Sequence, residues 1–523
     1  MQACGSTFGS CCGPCPPCSA IKVRCGELSD SLWPRGTAPT MMGRHLMAYL
    51  IPNLAQAVAS FGMVAILTRL LSDDDYGRYT LVYAAMTLAQ YLSVVWIEAA
   101  AARFYADAAE KGEKPAHFAT LITLFSWCAG AFALISIAAL VLWPADLNLK
   151  IVVAAAFGSV ITRSLIKIAL ETRRMAQEAK RFAVVDTLHT LLAFGLGIGC
   201  VVFFAMGPEG PFIGMLIASL VVLAIEGPAL WFAARKGALE PTRAKAYFAY
   251  GAPLAGGLIL SLALTSGDRF VIAAFLGEGD VGAYSAGYQV GARILDIIFT
   301  WGAAAVTPIL IAAYERGGPA EAVKAAHQGY VVRLGIGAPA ALGLGLLAAP
   351  ICEILIGEAL RDRAIQVVPW IAFSALLAGM CDYFSEAFML SKKALQRALL
   401  LLVPVITSLS LNVILLPKYG LMGAAYANVA AYGLGMTMLA WIGRRYVALP
   451  IPLLETAKIA IACALMAGVV LALPRFGAFQ DLVLKGGLGA ISYGAFIVAL
   501  NVAGARDFAK SLWSRLRPQT GAL

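Results

Sequence analysis

The sequence predicts an all-α, polytopic integral membrane protein with about fourteen transmembrane helices. Hydrophobic residues make up 60% of the chain and charged residues only 13%, whereas an ordinary soluble domain has about 25% charged residues. The apolar residues come in long runs, and a run of about 18 or more residues with few charges is typical of a membrane-spanning helix. These observations exclude a soluble fold. The net charge of +10 therefore reports first on orientation in the membrane and not on nucleic-acid binding.

Residues 1–42 differ in composition from the rest. Six cysteines lie there: Cys4, Cys11, Cys12, Cys15, Cys18 and Cys25. The Cys-Pro-Pro-Cys spacing is compatible with a metal or redox tract, but the segment is rich in Gly, Pro and Ser, and it lacks apolar periodicity and the His partners of a zinc site. We interpret it as a disordered extension upstream of a start at Met41 or Met42. No apolar core precedes a small-residue cleavage site, so a cleavable signal peptide is not predicted.

Fourteen spans are predicted, near residues 46–67, 79–100, 117–142, 151–170, 184–205, 212–233, 246–266, 282–311, 329–349, 365–390, 397–416, 421–442, 453–473 and 483–503. The longest outer loop predicted lies near residues 350–364. The even-numbered loops and the basic tail at residues 506–523 carry 22 Lys and Arg residues, against 9 in the odd-numbered loops. Because cytoplasmic loops carry the excess of positive charge, both termini are predicted to be cytoplasmic in an inner (plasma) membrane protein.

A repeat 205 residues apart divides the chain. Five identities share one offset: Leu71, Asp75, Gly77, Tyr79 and Tyr83 correspond to Leu276, Asp280, Gly282, Tyr284 and Tyr288. Six spans separate the copies, so both have the same membrane orientation. We predict two parallel six-helix lobes, residues 43–240 and 241–446, followed by two helices at 447–505. Transporters of this plan bind substrate between the lobes. Asp-x-Gly at the start of a span favours helix capping, which would account for both glycines.

The repeated segments also resemble a family. "LTRLLSDDDYGRYTL" after the first span and "GDRFVIAAFLGEGDVGAYSAGYQ" after the seventh resemble the multidrug/oligosaccharidyl-lipid/polysaccharide exporter superfamily, and within it the Wzx-type bacterial polysaccharide flippases. The resemblance covers about residues 43–510. It implies a non-enzymatic flippase whose substrate is an undecaprenyl-diphosphate-linked oligosaccharide, moved to the periplasmic leaflet among membrane lipids. It is compatible with proton or sodium coupling, with polysaccharide polymerase or export partners, and with a holdfast-type or exopolysaccharide product.

Ionisable residues inside spans are costly, and so they are candidate functional residues. Arg163, Lys167 and Glu171 in span 4 lie at i, i+4 and i+8, on one helix face. We predict that Arg163 and Lys167 bind substrate; the alternative is that Lys167 extends to the headgroups and pairs with Glu171. Arg293 and Asp296 in span 8 are predicted to be a substrate cation and its resting counter-ion, with a structural ion pair as the alternative.

Other charged and aromatic residues are candidates for coupling or gating. Asp268 and Arg269 lie at the outer end of span 7, where a structural gate or loop anchor is expected. Coupling candidates are Glu226, which precedes a Gly-Pro kink, and Asp382 and Glu386, one of which can be held protonated by its neighbour. The tyrosines of the repeat are expected to be interfacial anchors, with sugar stacking as the alternative. No metal site or cofactor is predicted.

Two other functions remain open at this stage. A drug/cation antiporter of the same superfamily would need an acidic lumen, yet the deepest predicted charges are Arg163 and Arg293. A membrane polysaccharide polymerase or ligase would need a sizeable periplasmic loop and a visible catalytic constellation, and the sequence supplies neither.

Overall fold

A computed structural model describes residues 38–506 of the chain. The Cys-rich segment before residue 38 and the basic tail after residue 506 lie outside the described residues. Within them the chain is all-α, as predicted, and forms fifteen α-helices without a strand. Their bounds are α1 (Ala38–Leu70), α2 (Asp73–Ser93), α3 (Val95–Glu110), α4 (Lys114–Leu142), α5 (Leu147–Met175), α6 (Ala179–Phe204), α7 (Gly210–Ala234), α8 (Pro241–Leu276), α9 (Glu278–Leu346), α10 (Ala348–Leu355), α11 (Glu358–Leu390), α12 (Ala394–Tyr419), α13 (Leu421–Gly443), α14 (Leu453–Ala472) and α15 (Ala478–Ala499).

The predicted count of fourteen crossings stays a prediction, although the breaks in the helices leave room for it. Eleven described helices are long and apolar enough to cross a membrane, and α2 with α3, which meet at a bend of 53°, can form a twelfth span. The 69-residue α9 has non-helical backbone at Gly317 and Gly318, so it divides into two crossings. At about 1.5 Å per residue, the 23-residue α13 is also long enough to cross. The protein is therefore a multi-pass membrane protein.

The repeated turns begin helices for identifiable reasons. Ser72 precedes α2, and its Oγ accepts a hydrogen bond of 3.1 Å from the backbone N–H of Asp75. Three aspartates in the first turn of α2 add negative charge where the helix dipole favours it. Gly277 separates α8 from α9 with a φ of 95°, a conformation that glycine adopts without steric cost.

The two halves of the chain pack their helices in the same pattern. In the first half α1 packs on α6, α6 on α7 and α5 on α7; in the second half α8 packs on α12, α12 on α13 and α11 on α13. A Cβ on Gly214 would lie 2.2 Å from the backbone N of Gly197, and a Cβ on Gly423 would lie 2.5 Å from the carbonyl carbon of Leu415. Each glycine therefore lets corresponding helices approach closely. This recurrence supports the two lobes, whose boundary near residue 240 stays a prediction.

The two copies of the repeated turn meet each other, because α2 packs against α9. A Cβ on Gly77 would lie 1.8 Å from the carbonyl oxygen of Glu278, and a Cβ on Gly282 would lie 2.9 Å from that of Asp73. The capping explanation of these glycines is wrong, because both lie inside helices. Glycine is needed at each position because two backbones approach so closely that a side chain would not fit.

Five charged side chains join the halves at this point. Arg78 on α2 pairs with Glu278 on α9. Arg363 on α11 pairs with Asp73 and with Asp280, each at 2.9 Å. We call these five residues the latch. It closes the two halves together at the end of the molecule where the repeated turns lie.

The segment after α9 belongs to the same closed end. The outer loop predicted near residues 350–364 is instead largely helical, because α10 and the first turns of α11 occupy it. The backbone N–H of Gly357, between these helices, donates to Thr68 Oγ1 at 2.9 Å. Arg69 donates to the carbonyl oxygen of Ile354 at 2.7 Å. The segment is thus fixed to the end of α1.

Candidate substrate cavity

A cavity of about 510 Å³ lies between the two halves. Helices α1, α2, α5, α6 and α7 of the first half line it, together with α8 and α9 of the second. Four cationic side chains face it: Arg163, Lys167, Arg269 and Arg293. Asp186 is the one carboxylate among the described residues that line it. The structure therefore brings the three predicted substrate-binding residues, from both halves, into one space with an excess of positive charge.

Arg163 and Lys167 lie one turn apart on α5 and face the cavity together. Arg163 lines the cavity together with Tyr83 on α2. Lys167 Nζ lies 3.7 Å from the Glu98 carboxylate, which also accepts a hydrogen bond of 2.9 Å from Gln90. Glu171 pairs with Arg174 at 2.6 Å, so the alternative pairing of Lys167 with Glu171 is not formed. Arg163 has no carboxylate partner among the described residues.

Arg293 on α9 lacks the counter-ion that the sequence suggested. Its Nε is buried without a hydrogen-bond partner among the described residues. Asp296 is exposed and lines a second cavity of about 250 Å³, which Arg269 and Arg293 also line. No ion pair joins Arg293 to Asp296 in the described structure. Arg293 thus lines both cavities, and its Nε is available to donate a hydrogen bond.

Arg269 is fixed in position, and its neighbour Asp268 is enclosed. Arg269 donates to Ser285 Oγ and to the carbonyl oxygen of Thr265, both at 3.0 Å, and its guanidinium lies 5.2 Å from the ring centre of Tyr288. Asp268 is 1% exposed. It accepts hydrogen bonds from the Tyr284 hydroxyl at 2.5 Å and from Asn428 at 3.0 Å.

These contacts give the two residues different surroundings. Arg269 contributes its charge to the cavity, whereas Asp268 joins α8 to α9 and α13 through its hydrogen bonds to Tyr284 and Asn428. The partner Asn428 is 160 residues away in sequence, so sequence patterns could not identify it. The gating role predicted for this pair stays a prediction.

Glu226 lies away from the cavity, in an ion-pair network. Its carboxylate is 2% exposed and binds Arg173 at 3.1 Å and Arg181 at 3.0 Å. Arg173 also pairs with Glu178 at 2.9 Å. The network joins α7 to the turn between α5 and α6. In the structure Glu226 holds helices together through these ion pairs. Its coupling role stays a prediction.

Asp382 and Glu386 also lie away from the cavity and have separate partners. Glu386 is buried and binds Arg333 at 2.6 Å and the hydroxyl of Thr307 at 3.0 Å. Asp382 keeps 65% of its side-chain surface exposed and lies 3.7 Å from Arg397. Because each carboxylate has its own arginine, they do not form a pair that shares a proton. In the described part of the chain, no group of three or more His, Cys, Asp or Glu side chains could hold a metal ion.

The family model for "Polysaccharide biosynthesis protein" matches residues 42–313, more than half of the chain. The chain belongs to this family. No curated protein sequence matches it significantly.

Solved structures share the fold of this polysaccharide biosynthesis family member. The lipid II flippase MurJ in an inward closed conformation has 14% identity and a TM-score of 0.71, over 89% of this chain and 100% of that one. An inward-facing multidrug resistance MATE transporter of the MOP superfamily has 15% identity and a TM-score of 0.60, over 77% and 98%. A MOP superfamily transporter from Pyrococcus furiosus has 15% identity and a TM-score of 0.50, over 77% and 93%. The fold is that of flippases and multidrug transporters, which are not enzymes.

Several cavity residues of this family member escaped the sequence analysis. Asp186, His189 and Thr190 all project from α6 into the cavity, and His189 Nε2 lies 3.0 Å from Ser219 Oγ. Their i, i+3, i+4 spacing on an otherwise apolar helix was the available signal. Tyr79 and Tyr83, expected as interfacial anchors, line the cavity instead.

Proposed function

We propose that the protein is a flippase that moves an undecaprenyl-diphosphate-linked oligosaccharide from the cytoplasmic to the periplasmic leaflet of the inner membrane, for polysaccharide export. Both termini lie in the cytoplasm, and the two halves give alternating access to the cavity between them. The observation that carries the proposal is the four-cation lining of that cavity, with one opposing carboxylate among the described residues.

The charge of the cavity suits a diphosphate. An anion cannot cross the hydrocarbon unpaired, so its carrier must supply positive charge along the path. Arginine is well suited to this task because its planar fork binds two phosphate oxygens at once and stays charged when buried. Arg163 belongs to the first half and Arg293 to the second. A phosphate bound between them would contact both halves.

The latch indicates which side of the membrane is closed in this structure. It lies in the loops that the excess of Lys and Arg elsewhere assigns to the periplasmic side. With that end closed, the cavity serves substrate from the cytoplasm, where lipid-linked sugars are assembled. Opening the latch and closing the other end would then release the substrate to the periplasmic leaflet.

A drug/cation antiporter of the same superfamily is the second candidate. Multidrug transporters share the fold, but four cations would repel a cationic drug more than Asp186 alone would attract it. A polymerase or ligase fits less well, because the predicted outer loop is a helical segment fixed against α1.

Purified protein in lipid vesicles tests the proposed function. The substrate is undecaprenyl diphosphate carrying a short oligosaccharide on the inner leaflet, and the measurement is the appearance of the sugar at the outer surface, detected with a lectin. We expect translocation well above that in protein-free vesicles. Translocation no faster than in protein-free vesicles, combined with uptake of a cationic dye, would favour the antiporter instead.

Proton coupling is proposed to pass through Asp382. Because its side chain is exposed, it can exchange protons, whereas Glu386 is held by Arg333. We expect Asp382→Asn to slow transport and to make it insensitive to collapse of the proton gradient. Glu386→Gln should instead destabilise the fold by about 3 kcal/mol, since it leaves a buried arginine without its anion.

Transport rates and melting temperatures of both variants separate the two roles. Replacing sodium by potassium in the same assay shows whether sodium is the coupling ion. Unchanged transport in the double variant would remove both carboxylates from the mechanism.

A further inference from the structure

The main cavity has two unlike walls. Cations line it on α5, α8 and α9, whereas α2 contributes four tyrosines and no charge. These are Tyr76, Tyr79, Tyr83 and Tyr91. Exposed amides of Gln56 on α1 and partly buried Gln289 on α9 also border the space. The wall of α2 is therefore aromatic and hydroxyl-bearing, and the neighbouring helices α5 and α9 supply cations.

Core packing accounts for only part of this aromatic wall. Tyr76 is 2% exposed, and Tyr79 packs 5.3 Å from the ring of Phe212, so both belong to the interior. Tyr83 is 40% exposed and Tyr91 is half-buried, and both face the cavity. A large aromatic side chain exposed inside a cavity is a feature of ligand sites, where it supplies an apolar face and a polar edge.

We propose that Tyr83 and Tyr91 form a glycan subsite, on which the sugar rings of the lipid-linked substrate stack. This inference rests on the proposed function and adds a second contact to it. A sugar ring presents C–H groups on one face and hydroxyls around its edge. The C–H groups fit the negative face of an aromatic ring, and the hydroxyls fit the amides of Gln56 and Gln289.

The position of Tyr83 indicates which part of the substrate each residue would contact. Tyr83 lines the same cavity as Arg163, a predicted phosphate ligand. The first sugar of the substrate is bonded directly to the diphosphate, so a phosphate at Arg163 places that sugar beside the Tyr83 ring. Tyr91 lies eight residues further, about 12 Å along the helix. It is therefore placed to contact the sugars that follow.

The test compares the binding of two probes to purified protein: bare undecaprenyl diphosphate, and the same lipid carrying a short oligosaccharide. The readout is the ratio of the two affinities. Tyr83→Ala should weaken binding of the glycan probe about tenfold more than binding of the bare probe. Tyr83→Phe keeps the ring and should leave the ratio as in wild type. Tyr419→Ala, on a tyrosine that does not line the cavity, is the matched control.

The outcomes separate this inference from the proposed function. If Tyr83→Ala and Tyr91→Ala weaken both probes equally, or leave both unchanged, there is no glycan subsite, while the flippase proposal stands. If wild-type protein binds neither probe, both proposals are overturned. Should Tyr83→Ala fail to fold, Tyr91→Ala decides the question, because its change in the ratio is expected in the same direction.

Discussion

Replacing Arg163 or Arg293 by alanine should lower the transport of lipid-linked oligosaccharide about thirtyfold or more, because truncating one charge of a buried ionic contact costs about 2–5 kcal/mol. The two residues come from different halves of the chain and face the same cavity. Neither has a carboxylate partner among the described residues, so its removal leaves no internal anion unpaired. The fold should therefore survive the change. Transport in vesicles and the amount of folded protein in the membrane are the two measurements.

Lysine and a surface arginine supply the controls for this prediction. Arg163→Lys and Arg293→Lys should restore transport only in part, since an ammonium is a point charge without the fork of a guanidinium. Arg316→Ala, on an exposed arginine that donates to the carbonyl oxygen of Ala312 in its own helix, should have no effect. If both alanine variants transport normally, or fail only because the protein is degraded, the arginines are structural and the substrate binds elsewhere.

Gly77→Ala should prevent the two halves from closing at the latch. The added Cβ would lie 1.8 Å from the backbone carbonyl oxygen of Glu278, where no flexible side chain can move aside. Overpacking of this kind costs about 1–3 kcal/mol, so the ratio of closed to open protein should fall about fivefold or more and transport should fall with it. Gly130→Ala is the matched control, because a Cβ there meets nothing within 4 Å.

Labelling measures the closure directly. A cysteine introduced at Ser60, in the cavity, should react faster with an impermeant maleimide added from the latch side in the Gly77→Ala protein. The native cysteines give a background that is measured in the parent protein. Equal labelling rates in the Gly77→Ala and Gly130→Ala proteins would show that the glycine contact does not control closure.

The sequence predicted the fold class and the cationic residues because both depend on local patterns. Long apolar runs define membrane helices, and the i, i+4 spacing of Arg163 and Lys167 places them on one face. The partners of other charges could not be predicted. Glu226 binds Arg173, and Glu386 binds Arg333, in each case across 53 residues of sequence. Hydropathy and spacing carry no information about which distant helix lies alongside, so these carboxylates resembled isolated coupling sites.

The role of the glycines in the repeated turn could not be predicted from the sequence either. Local reasoning assigned Gly77 and Gly282 to helix capping, because Asp-x-Gly at a helix start permits it. The structure instead places each glycine against the backbone of the other copy. A contact between two repeats depends on how the lobes face each other, and a single copy of the motif does not contain that information.

The latch has a thermodynamic consequence. Arg363 serves both Asp73 and Asp280, so one side chain holds both repeats and releases them in a single event. Its charged groups are partly exposed, and pairs of this kind contribute about 0–1 kcal/mol each. The latch charges therefore add little to the free-energy difference between the closed and open states, and a cargo that binds one state a few kcal/mol more tightly than the other outweighs them.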